Sequence, residues 1–174
     1  MSDISSQLPD LLRKDLKAVI CGTGADNNSG KFGEYYIDGG NRFWSTMVFH
    51  GVVPGDFLEG PHKSKRLLEH GIGFTHLNQK PSGHAKVLKE EEDFDVEELI
   101  KKVNTYQPQR LILNGKTTGE IFFGHGIKKY GYQNKDIGIT KIYVLPSTSP
   151  KNRFKYWDMN IDKWDAFCEF IKKN

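Results

Sequence analysis

Short apolar runs that break off into glycine, asparagine or proline, alternating with amphipathic stretches, constrain this chain more than any other feature. Leu16 to Cys21, Gly71 to Thr75, Arg110 to Asn114 and Ile142 to Leu145 are too short for ordinary helices. Each is apolar enough to be buried on both faces, the mark of strands inside a covered parallel sheet. Between them lie helical patterns. Phe43, Trp44, Met47 and Val48 form a stripe that ends near Gly51, a basic helix follows from His62 to Glu69, and Val96 to Tyr106 is amphipathic. A helical segment runs from Gly115 through Phe123, and Trp164, Phe167, Phe170 and Ile171 mark the last helix. Leu8 to Lys14 also has the content for a short helix. Strand, turn and helix repeating in this way predict a three-layer α/β/α fold with a short, mostly parallel central sheet.

A chain of 174 residues suits one domain spanning residues 1–174, large enough to cover a sheet on both faces and still shape a pocket. In open sheets of this kind, ligands sit in the crevice beyond the carboxyl ends of the strands. Two polar segments must emerge there. Gly22 to Gly40, crowded with Gly, Asn, Asp and Ser, reads as a long loop after the first strand, and Pro146 to Arg153 follows the last one. Asn78 to Lys89 reads as a surface loop.

Nucleotide-binding motifs fail position by position. Gly22-Thr23-Gly24 follows a strand, but Asn27 stands where a dinucleotide fingerprint needs its third glycine. Gly30-Lys31 resembles the end of a phosphate loop, yet Ala25 replaces the first glycine and Phe32 the magnesium-binding hydroxyl. No metal site or cofactor is expected, because the histidines are scattered and neither cysteine has a partner at ligand spacing. Cys21 in a strand and Cys168 in a helix read as buried free thiols. No segment is long enough to span a membrane, and the start Met1-Ser2-Asp3 lacks a signal-peptide layout, so a cytoplasmic protein (nuclear in a eukaryote) is expected.

With 25 Lys plus Arg against 22 Asp plus Glu, net charge selects no partner, and any attraction to a polyanion rests on local clusters. The clusters are Lys63, Lys65 and Arg66, then Lys128 and Lys129, then Lys151, Arg153 and Lys155, and by default such runs are solvated faces.

The segment from Cys21 to Trp44 carries a more specific signal. It has Cys-Gly at the strand end, Gly33 with Tyr36 three residues on, and Gly40-Asn41-Arg42-Phe43-Trp44. Further on come Gly71-Ile72-Gly73-Phe74-Thr75, Tyr106-Gln107-Pro108 leading to Asn114-Gly115-Lys116, and Leu145-Pro146-Ser147-Thr148-Ser149. In this order and spacing the chain resembles the uracil-DNA glycosylase superfamily over roughly residues 16–172, and within it most the mismatch-specific uracil/thymine DNA glycosylases. That family shows a Cys-Gly-Ile-Asn-Pro-Gly turn, then Gly with an aromatic three residues on, then Gly-Asn-x-Phe-Trp.

The resemblance implies a monofunctional DNA glycosylase acting as a monomer on duplex DNA that contains uracil or a mismatch. It would flip the base out, cut the base–sugar bond and leave an abasic site. By the same resemblance, the Gly22-Thr23-Gly24-Ala25 turn, Tyr36, Asn41 and Ser147 would bind the base. Tyr36 would stack on it, and Ser147 and Ser149 could hold a phosphate. Lys151 sits where relatives place the residue that fills the vacated stack, and Arg153 adds a phosphate contact. Read without the resemblance, Tyr36 is a packed loop aromatic and Asn41 a helix cap.

The chain departs from the family at the most important position of the first motif, where Ala25 also replaces the motif Pro and Asp26 the motif Gly. In gapless register, Gly24 stands where the family places its water-positioning Asn. Asp26 is then the best carboxylate to activate water and stabilise the sugar cation, with Asn27 and Asn28 as weaker substitutes. Asp26 reads equally well as a turn residue in a Gly/Asn-rich loop. The alternative function is therefore a catalytically weak or inactive lesion-binding protein of the same fold.

Overall fold

The computed structural model describes residues 8–25, 27–78, 94–152 and 157–174, with Asn27 and Asn28 as backbone only. Its centre is a five-stranded sheet in the order β2-β1-β3-β5-β4. The strands are β1 Ala18–Gly22, β2 Ile72–His76, β3 Arg110–Asn114, β4 Gly131–Ile137 and β5 Thr140–Leu145. The β1/β2, β1/β3 and β3/β5 pairs are parallel, and β4 alone runs antiparallel, against β5.

Side chains alternate across the sheet and divide the core in two. Ala18, Ile20, Ile72, Phe74 and Ile112 face one layer, built on α2 Phe43–Phe49, α3 Lys63–Glu69 and α6 Ile161–Lys173. Val19, Cys21, Leu111, Leu113 and Val144 face the other, built on α4 Val96–Tyr106 and α5 Lys116–Phe123. Burial on both faces is why the inner strands read as unbroken apolar runs. Trp164, Phe167 and Ile171 of α6 are buried at helical spacing, while the half-buried Phe170 ring lies 3.5 Å from the Arg110 guanidinium. The α/β/α architecture read from the sequence is the one observed.

Local readings change in four places. Leu8 to Lys14 is not helical; Leu11 instead makes an antiparallel bridge to Phe74, exchanging hydrogen bonds of 2.9 and 3.0 Å. The Gly22 to Gly40 segment is not loop throughout, because a short helix, α1 Asn27–Phe32, forms inside it. The sheet gains β4, absent from the sequence reading, none of whose residues is fully buried, as suits an edge strand. It joins β5 through Gly138 at φ 58°, and Ile137 and Thr140 close the tight hairpin. Finally, Asn78, read as the start of a surface loop, is buried; the remainder of that loop reading, residues 79–89, lies outside the described residues.

Candidate functional site

Parallel register fixes where the loops must meet. Gly22 pairs with His76, Cys21 with Leu113 and Asn114 with Leu145, so the segments after β1, β2, β3 and β5 leave the sheet along one edge. The β1/β2 ladder continues past the strands: Leu77 N–H donates to Gly22 O at 2.9 Å and Asn78 N–H to Thr23 O at 2.8 Å. The Gly22 to Ala25 turn is thereby laced to the exit of β2.

Residues 146–152 are held from two sides. From β3, the Asn114 side chain donates to Thr148 Oγ1 at 3.0 Å and accepts from Thr148 N–H at 3.1 Å. From the first motif, Arg42 N–H donates to Thr148 O at 2.9 Å, and its Nη1 donates to Ser149 O and Asn152 O at 3.1 Å each. Within the loop, Ser147 Oγ accepts from Ser149 N–H and Ser149 Oγ from Lys151 N–H, both at 3.2 Å, leaving each hydroxyl proton for another acceptor. Trp164 Nε1–H anchors the base of the loop on Pro146 O at 2.8 Å. Ser147 also lies against Gly115, whose φ of 111° favours glycine and where a Cβ would come within 3.0 Å of Ser147 Cβ.

Tyr36 sits at the junction in a left-handed conformation, φ 55°, its ring 5.0 Å from Phe43 and 5.9 Å from Phe74. Its hydroxyl is buried and would lie 3.1 Å from a Cβ on Gly22, which places Tyr36 against the first turn. Burial pushes the phenol pKa up, while the Asn114 side chain works in the opposite direction. Asn41 Oδ1 accepts from Phe43 N–H at 3.0 Å and so caps the start of α2. Lys151 is exposed on the rim. Asp26 and Arg153 lie outside the described residues.

Three polar residues at this edge were not assigned from the sequence: His76, Asn78 and Asn114, which are 6%, 6% and 8% exposed. Each ends or closely follows a strand. His76 stacks on Tyr35 with ring centroids 4.7 Å apart, and burial lowers its pKa to about 4, so the imidazole is neutral at physiological pH. A polar residue directly after an apolar parallel strand was the available signal, since such residues end at the ligand edge.

A turn rich in backbone amides, a carboxamide, serine hydroxyls and a neutral imidazole thus converge at one rim. Such a set can hold a polar planar ligand by hydrogen bonds and stack it on an aromatic ring. Among the described residues no group of His, Cys, Asp or Glu could hold a metal ion. Two clefts lie elsewhere. One of about 380 Å3 is lined by Arg13, Lys17 and His70 at the amino ends of β1 and β2, and one of about 500 Å3 lies beside β4 at Phe122 and Phe123.

The sequence model of the uracil DNA glycosylase superfamily matches residues 9–173. The chain belongs to that superfamily. Its fold is similar to the solution NMR structure of a candidate uracil DNA glycosylase from Methanosarcina acetivorans. TM-score is 0.63 and identity 21%, over 97% of this chain and 98% of that one. Membership supports a glycosylase-type role on DNA and gives the convergence at the strand ends a chemical meaning. Among the described residues, no helix is long and apolar enough to cross a membrane.

Proposed function

We propose that this chain is a monofunctional DNA glycosylase that flips uracil, or a related deaminated or mismatched base, out of duplex DNA and excises it by hydrolysis. The observation that carries this reading is the clamping of the second loop by Asn114 and Arg42 beside the Gly22 to Ala25 turn. A crevice that must recover the few kcal/mol spent on unstacking a base has to be built before the base arrives. Tyr36 would stack on the base, and the turn amides would receive the negative charge that develops on it. Ser147, Ser149, Lys151 and Arg153 would bind the DNA strand, and Asp26 would face the sugar cation and activate water.

A second reading, lesion binding without excision, is favoured by one observation: Gly24 offers no side chain to the reaction. A labelled duplex with one uracil separates the two. Incubation followed by alkali should cut the strand at the uracil with wild-type protein and far less with Asp26→Ala. Equal cutting by both removes Asp26 from the mechanism, and tight, salt-sensitive binding without an abasic product favours the second reading.

A further inference from the structure

We propose that the cleft between β4, α4 and α5 docks a short acidic segment of a partner protein, extended along the open edge of the sheet and anchored by an apolar side chain. β4 ends the sheet order, so its outer side carries no further strand among the described residues. Its register breaks in the middle. Tyr132 pairs with Tyr143 and Asp136 with Lys141, which leaves Gln133, Asn134 and Lys135 opposite Ile142 alone. Extra residues on one side of a ladder bend that strand outward. Asn134 takes a left-handed conformation at φ 53°, and Gln133 Nε2 donates to Lys129 O at 2.9 Å and to Gly131 O at 2.8 Å, which fixes the bend beside the cleft.

The cleft holds about 500 Å3, within the range of about 300–1,000 Å3 that ligand sites occupy. Its floor is apolar: Ile100, Phe122, Phe123 and Ile137 line it, each half-buried. Phe122 and Phe123 meet edge to face with centroids 5.0 Å apart, so two rings of different orientation bound the space. A side chain entering there would remove apolar surface from water on several sides at once.

Charge on the rim selects the occupant. His125 and Lys135 are the ionisable residues that line the cleft, and no carboxylate lines it among the described residues. Lys135 is exposed and has no ion-pair partner among the described residues, and Lys128 and Lys129, exposed just before β4, add charge of the same sign. Two carboxylates nearby in the chain are engaged elsewhere: Asp136 accepts from the Tyr132 hydroxyl at 2.8 Å, and Glu120 lies 3.9 Å from Lys116. A cationic rim around an apolar floor complements an apolar side chain flanked by Asp or Glu. The open edge favours a polypeptide, whose backbone can pair with β4, over a nucleic-acid strand, which has no amide ladder to offer.

The test titrates the full chain against a short fluorescein-labelled peptide in which Phe and Ile stand among Asp and Glu, read by anisotropy and by amide-detected NMR. Saturable binding that weakens with added salt is expected, with the largest amide shifts at Phe123 to His125 and Gln133 to Ile137. A control peptide with the same apolar residues among Lys should bind at least about tenfold more weakly, and Lys135→Glu should weaken the acidic peptide by a similar factor. Phe122→Ala, which opens the floor, should also weaken binding by about tenfold; if that variant folds poorly, Lys135→Glu, at an exposed position, still decides. No saturable binding, equal binding of the two peptides, an unchanged affinity in Lys135→Glu, or shifts confined to the crevice edge overturns the proposal. A single-stranded oligonucleotide that shifts the same cleft amides and displaces the peptide assigns the cleft to nucleic acid and overturns it too. None of these readouts involves base excision, so they are separate from the glycosylase reading.

Discussion

Replacing Asn114 with Ala should loosen the joint between the end of β3 and the second loop, at a cost the structure lets one work out. Asn114 is 8% exposed and Thr148 fully buried, and the two exchange a pair of hydrogen bonds. In Asn114→Ala, the Thr148 N–H and hydroxyl both lose that partner where water has little access. A buried polar group stripped of its partner costs about 1–3 kcal/mol, and partial relaxation of the loop puts the total at about 2–4 kcal/mol. Thr148→Val removes only the hydroxyl, so a double-mutant cycle in urea should return a coupling of at least about 0.5 kcal/mol. The same Asn114→Ala protein should excise uracil more slowly even where it is fully folded, because Ser147 and Ser149 are no longer held. A loss of stability below about 0.5 kcal/mol would refute the reasoning, since it would mean the pair is not a joint.

His76 makes stability depend on pH. Its folded pKa, about 4, lies below the ordinary 6.5, so the unfolded chain binds the proton more readily in that window. Stability should be full above pH 6.5 and fall as the pH drops towards 4, by on the order of 3 kcal/mol. Urea unfolding across this range, with His76→Gln lacking that component of the slope, checks it. Gly73→Ala should be destabilised by about 1–3 kcal/mol in the same assay, because the new Cβ would meet the backbone carbonyl of Leu11 at the bridge to Phe74. Both thiols should resist a disulfide reagent until the protein unfolds. They are buried, and burial pushes Cys168 up to about 12 and Cys21 higher still.

The sheet was legible wherever a strand is buried on both faces, because apolar content alone then marks it. β4 escaped for the opposite reason: Gln133, Asn134, Lys135 and Asp136 belong to an edge strand with an irregular register, and such residues read as loop. α1 was hidden by the weak helix formers Asn27, Asn28 and Gly30. Leu8 and Leu11 suggested a helix, but their apolar character serves burial against the sheet.

The site divides along the same physical line. Motif spacing located the turn after β1 and the loop after β5, since glycine and serine clusters are visible in the chain. The place of His76, Asn78 and Asn114 at one edge follows from the parallel register, which brings residues far apart in sequence together. Arg42, one residue in a motif that drew attention to its neighbours, holds the second loop through backbone carbonyls that carry no sequence signature.

A flipped base received where the carboxyl ends of the strands meet must perturb the residues at that edge. The decisive measurement is an amide-detected NMR titration with a 2′-fluorodeoxyuridine duplex. The largest shifts should fall on Gly22 to Ala25, Tyr36, Asn78 and Ser147 to Lys151. Shifts concentrated instead on Lys17, His70 and Gly71, at the opposite edge of the sheet, would contradict it.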